Sequence, residues 1–112
     1  MNLYMDDYRR CPQGFTLARN AEECLLLLQE YKVEILSLDY DLGPGEPTGL
    51  EVAAAIVREG LFPEQIYLHS SSLSGRRQMY EMLYGSLPKG VQLFNHPVPP
   101  ELLSQLEKKE QR

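Results

Sequence analysis

Five short apolar runs punctuate the chain: Leu3–Met5, Phe15–Ala18, Ile35–Leu38, Ile66–Leu68 and Val91–Phe94. Each is too short for a helix and ends in polar or turn residues, the pattern of buried strands. Between them the apolar positions recur with helical spacing. Asn20-Ala-Glu-Glu23 sets a capping side chain three residues before a carboxylate, and Cys24, Leu25, Leu28 and Tyr31 follow on one face. Thr48-Gly-Leu-Glu51 opens a second helix in the same way. Leu50, Ala53, Ala54 and Val57 form its stripe, and Gly60 stands where a helix commonly stops. Arg76 to Tyr84 predicts a third helix with Met79, Met82 and Leu83 inward, stopped by Gly85. Glu101 to Gln111 predicts a fourth behind Pro99-Pro100, with Leu102, Leu103 and Leu106 on one face. Its polar tail, Lys108 to Arg112, is expected to fray.

Strands that alternate with helices predict an α/β fold with a parallel sheet. One connection breaks the pattern. Only Tyr8 to Gly14 join the first two strands, whereas a crossover that includes a helix needs about 10–12 residues. Seven extended residues still reach roughly 23 Å, enough to run back along a short strand. The first crossover helix is therefore expected to be missing or reduced to a turn. The sheet face it would have covered is then left to the short final helix, which predicts a homodimer, or a partner supplying the cover, with Tyr8 and Phe15 as anchors. The alternative is that the Tyr8–Gly14 loop closes that face locally.

Composition narrows the class. The 112 residues fit one domain, residues 1–112, and 43% hydrophobic content excludes a disordered chain. A net charge of −5 argues against direct binding of duplex nucleic acid, where phosphate contacts dominate affinity. Cys11 and Cys24 lack the spacing of a zinc site and fit a reducing, cytoplasmic setting. The carboxylates of Asp6-Asp7 come too early for a signal peptide, and no apolar run approaches membrane-spanning length.

In open parallel sheets ligands bind beyond the carboxyl ends of the strands. Asp6 and Asp7 follow the first strand, Asp39 the third, His69 and Ser70 the fourth, and His96 the fifth. Carboxylates crowded into one site repel each other, and a hard divalent ion with oxygen ligands is the simplest compensation. Asp6, Asp7 and Asp39 are accordingly the expected ligands of Mg²⁺ or a similar ion. Asp41 reads instead as a turn residue at the Gly43–Pro47 loop. Ser70 and Arg9 are the expected phosphate contacts, with Arg76 a further cation nearby.

Asp6-Asp7, the segment Ser37 to Gly43, Thr48-Gly49 and His96-Pro97 resemble a response-regulator receiver domain over nearly the whole chain. That resemblance implies a flavodoxin-like five-stranded sheet in the order 2-1-3-4-5, and a cis His96–Pro97 peptide aiming the imidazole at the pocket. Receivers carry a lysine where this chain has His96. Asp6-Asp7-Tyr-Arg9, Ser37-Leu-Asp39-Tyr-Asp41-Leu-Gly43, Thr48-Gly49 and His69-Ser70 are similar to a narrower group, the cyclic-phosphate processing receiver-like family, which has His at the position of Tyr40. The narrower resemblance implies a small phosphate-containing ligand, and binding or metal-dependent hydrolysis of a cyclic phosphate. His69 and His96, the only histidines, would then act as acid and base in either order, with Asp39 at the reacting centre. The competing reading is a non-enzymatic signalling module, either a phosphoacceptor at Asp39 or a degenerate partner-binding domain.

Overall fold

The computed structural model describes residues 1–110. The strands are β1 (Asn2–Met5), β2 (Thr16–Ala18), β3 (Ile35–Leu38), β4 (Gln65–Leu68) and β5 (Gln92–Phe94), and the helices α1 (Ala21–Glu30), α2 (Gly49–Glu59), α3 (Leu73–Tyr84) and α4 (Pro100–Glu110). The sheet order is β2-β1-β3-β4-β5, and every pair is parallel. This is the receiver-type arrangement read from the sequence. No helix interrupts Asp6 to Phe15, as the short connection required.

Local signals fix the helix starts. The Asn20 side chain accepts from the Glu23 amide, and the Glu51 carboxylate accepts from the Thr48 amide. α3 begins three residues earlier than expected, because Ser72 accepts from the Gly75 amide and caps it. Lys108–Glu110 continue α4, while Gln111 and Arg112 lie outside the described residues.

Period-two alternation splits the strand side chains between two faces. Leu3, Met5, Leu36, Leu38, Ile66 and Leu68 face α1, α2 and α3 and are buried with Cys24, Ile56, Met79 and Leu83. Met82 departs from the expected stripe: it is 39% exposed, leaving Met79 and Leu83 as the inward pair. The other face holds Ile35 and Tyr67, buried with Val98 beneath Phe15, Phe94 and the half-buried leucines of α4. The final helix thus covers part of the face exposed by the missing crossover helix, while Tyr8 remains 72% exposed.

Two glycines let helices close on the carboxyl end of β3. A side chain at Gly49 would run into the Asp39 carbonyl and the Met79 sulfur, and one at Gly75 into the Tyr40 ring. The Gly49 amide donates to the Tyr40 carbonyl at 2.8 Å. Tyr40 is therefore packed between the end of β3 and the start of α3.

Candidate functional site

The parallel ladder continues one rung past the assigned strands. The Asp39 amide donates to the Met5 carbonyl and the His69 amide to the Leu38 carbonyl, at 3.1 and 3.0 Å. Asp6, Asp39 and His69 therefore follow the aligned positions Met5, Leu38 and Leu68. Alternation turns them to the same side as Tyr4, Ser37 and Tyr67. One ligand atom from each of Asp6, Asp39 and His69 lies within 4.8 Å of the others.

Asp6 is fully buried and saturated with donors. Its Oδ1 accepts from the Tyr8 and Arg9 amides at 3.0 and 2.9 Å. Its Oδ2 accepts from Arg9 Nη1 and His69 Nε2, each at 2.9 Å. Burial alone would raise its pKa, but the two amides, the guanidinium and the imidazole outweigh it and hold the carboxyl at about 2. Asp39 moves the other way. Burial pushes its carboxyl up and the charge of Asp6 adds to this, against the opposing pull of the Tyr40 amide and Arg9. Arg9 Nη1 reaches Asp39 Oδ2 at 3.2 Å, so one nitrogen bridges both acids.

The His69 side chain is 5% exposed and stacks on Tyr4 at 4.4 Å with an interplanar angle of 4°. Its Nδ1 lies 2.6 Å from Ser37 Oγ. Burial lowers its pKa despite the neighbouring acids, which favours the neutral ring. An ionised Asp6 can only accept, so Nε2 carries the proton and Ser37 donates to Nδ1. The contact with Asp6 is then a hydrogen bond within a Ser37–His69–Asp6 chain. Neither Tyr4 nor Ser37 was given a role from the sequence, although Ser37 opens the segment that carries the family resemblance. The signal was available, because both share the alternation that points His69 inward, and Tyr4 and Ser37 are paired in the β1–β3 register.

An open cleft of about 520 Å³ lies beside this cluster, lined by Asp7, Tyr8, Arg9, Asp39, Asp41, Gly43, Pro44 and Ser70–Ser72. Asp7 Oδ1 is buried there without a hydrogen-bond partner. Ser70 is buried, and its Oγ accepts from the Ser72 amide. Asp41 accepts from the Gly43 amide at 3.0 Å, the turn role expected of it. A divalent cation is compatible with these residues: Asp7 and Asp39 line the same cleft, the buried Asp7 Oδ1 has no partner within the protein, and hard ions take oxygen ligands, while Asp7 stands outside the tight cluster of Asp6, Asp39 and His69. Asp6 sits behind them, with all four of its hydrogen bonds already made within the protein.

His96 lies elsewhere. The His96–Pro97 peptide is trans, which corrects the cis bond implied by the receiver resemblance. The ring is exposed, its Nδ1 donates to the Pro97 carbonyl at 2.8 Å, and it borders Tyr67 and Phe94. It does not line the cleft. The physical reason is the run of the chain out of β5 toward α4, which keeps the ring against the edge of the α4-covered face. Tyr40 does not line the cleft either. Arg76 Nη1 reaches the Asn95 carbonyl, while Arg77 pairs with Glu81 on the exposed side of α3. Burial raises the Cys24 thiol to about 12, consistent with a packing role.

No helix among the described residues is long and apolar enough to cross a membrane. None of the curated proteins matches the chain. Among solved structures it is similar to the receiver domain of the Francisella response regulator 1452, at 15% identity and a TM-score of 0.58, over 98% of this chain and 95% of that one. It is also similar to a CheY-like response-regulator receiver domain protein from Methanospirillum hungatei JF-1, at 18% identity and a TM-score of 0.53, over 97% and 91% of the two chains. These likenesses establish the fold. The family model described as the cyclic-phosphate processing receiver domain matches residues 1–85. On that match, which spans most of the sheet and three of the four helices, the chain belongs to the cyclic-phosphate processing receiver-domain family.

Proposed function

We propose that the chain binds a small cyclic-phosphate ligand together with a divalent cation in the cleft at the carboxyl end of the sheet. One observation carries this reading: Asp7, Asp39, Arg9 and Ser70 line one open cleft, and Asp7 keeps a buried carboxylate oxygen with no partner in the protein. Asp7 and Asp39 would hold the ion, with Mg²⁺ the match for an oxygen-rich set. When bound, the ion would neutralise charge on the phosphoryl oxygens. Arg9 and the Ser70 hydroxyl would hydrogen-bond the phosphate. Asp6 anchors the Tyr8–Arg9 backbone and so sets where the guanidinium lies.

Binding has stronger geometric support than hydrolysis. Both nitrogens of His69 are engaged. To act as acid or base, its Nε2 has to exchange Asp6 for a ligand atom. His96 would have to swing in from the far edge. The second reading, a non-enzymatic module, is favoured by a different observation: Arg9 already neutralises the acidic pair, and both Asp39 oxygens are occupied, one by Arg9 and one by the Tyr40 amide.

Incubation with 2′,3′-cyclic nucleotides and with acetyl phosphate, each with and without Mg²⁺, separates the readings. Ion-dependent retention of the cyclic nucleotide supports the first, and turnover extends it to catalysis. No interaction with cyclic nucleotides, with or without Mg²⁺, supports the second; modification of Asp39 by acetyl phosphate would then mark it as a phosphoacceptor, and no modification as a degenerate partner-binding domain.

A further inference from the structure

Arg9 Nη1 occupies the space between two acids that a cation would otherwise neutralise. It lies 2.9 Å from Asp6 Oδ2 and 3.2 Å from Asp39 Oδ2. The two contacts are not equivalent. Asp6 is fully buried, and it also accepts from the Arg9 amide, so backbone and side chain of Arg9 are tied to the same carboxylate. Asp39 lines the open cleft and is tied to Arg9 by a single, longer bond. The guanidinium has five N–H donors in a rigid fork, so it can give up one acceptor while keeping another.

We propose that Arg9 is a built-in competitor for the divalent-cation site. Without an ion its guanidinium bridges Asp6 and Asp39; an ion entering at Asp7 and Asp39 displaces it from Asp39 alone. Asp6 keeps hold of Arg9 through the backbone and Nη1, so the freed N–H stays at the cleft and becomes available to an anion. The carboxylate pair is never left uncompensated, which avoids the repulsion that would oppose the ion-free fold. Ion binding and phosphate binding are thereby coupled through one side chain. This inference rests on the reading that Asp7 and Asp39 take the cation, and extends it by assigning what they must release.

The test is titration with Mg²⁺ alone, with no cyclic phosphate present, on the wild type, Arg9→Gln and Arg9→Lys. Removing one positive charge beside the ion should tighten Mg²⁺ binding by about tenfold or more in the Gln variant. The Lys variant keeps the charge and should stay within about threefold of the wild type, since competition at this range is set mainly by charge. Mg²⁺ affinity that is unchanged or weaker in Arg9→Gln overturns the competition, as does an absence of Mg²⁺ binding in both wild type and variant. If the Gln variant does not fold, the wild type still decides. The Arg9 guanidinium resonance, followed by NMR, should lose protection from solvent exchange as Mg²⁺ is added, and an unaltered resonance at saturating Mg²⁺ overturns the proposal. Failure to bind cyclic nucleotides would count against the proposed ligand without touching this result.

Discussion

Replacing Asp6 by Asn keeps the shape of the side chain and removes its charge. In the folded chain Asp6 accepts four hydrogen bonds, from the Tyr8 and Arg9 amides, Arg9 Nη1 and His69 Nε2. The Asn carbonyl can still serve one pair of donors, but its NH₂ group faces the other pair as a third donor. A carboxyl that ionises at about 2 rather than near 3.8 favours the folded state by about 2 kcal/mol at neutral pH. Water at the open side of Arg9 trims this toward about 1 kcal/mol. For a chain of this size, a loss of 1–2 kcal/mol lowers Tm by roughly 4–8 °C. The folded-state pKa lies below the unfolded one, so the contribution is complete above about pH 5 and drains away as pH falls toward about 2. Urea denaturation followed by circular dichroism between pH 7 and pH 2.5 measures it. Asp6→Asn should be the less stable protein at pH 7, and the gap should close below pH 4. A variant as stable as the wild type at pH 7, or a gap that persists unchanged into acid, would refute the assignment of Asp6 as the ionised hub of the cluster.

Asp39→Asn should act in the opposite sense. Burial and the Asp6 charge raise the Asp39 pKa, so its ionised form costs stability above the unfolded pKa. The ion-free variant should melt above the wild type while losing Mg²⁺ binding; a lower Tm contradicts this. Gly75→Ala should destabilise by about 2 kcal/mol or more, because its methyl group meets the Tyr40 ring, and Tyr40→Ala should restore much of the loss in the double variant; unfolding curves that match the wild type for Gly75→Ala would contradict the packing. Ser37→Ala should release His69 Nδ1 and alter the tautomer balance read from imidazole ¹⁵N shifts, whereas unchanged shifts would remove Ser37 from the chain. A homodimer built on the α4-covered face should sediment at twice the mass of the 12.8 kDa chain at micromolar concentration; a single species of chain mass ends that proposal.

The sheet was legible because its signals are local. Apolar runs ending in Asp6, Asp39 and His69 marked the strands, and the seven residues from Tyr8 to Gly14 excluded a full crossover helix. The rung that gathers Asp6, Asp39 and His69 was legible in outline, since strand-end residues converge in a parallel sheet. The division of labour within it was not. That Asp6 is consumed by four protein donors depends on how the Tyr8–Arg9 backbone turns back, which no spacing rule encodes. That Arg9 bridges the acids depends on the same turn. His96 lies after a strand end just as His69 does, yet the trans bond at Pro97 and the path into α4 carry it away from the cleft. Met82 fitted a helical stripe by spacing, but α3 packs through a narrower face than its pattern suggested, and Met82 falls outside it.

The most direct test of the cleft is an amide ¹H–¹⁵N titration of the protein with a 2′,3′-cyclic nucleotide in saturating Mg²⁺. The account predicts shifts confined to Asp7–Arg9, Asp39–Gly43 and Ser70–Ser72, which vanish when Mg²⁺ is removed and in Asp39→Ala. A spectrum that does not respond, or shifts centred on the groove of Tyr31, Phe62 and Lys89 at the opposite end of the sheet, would contradict it.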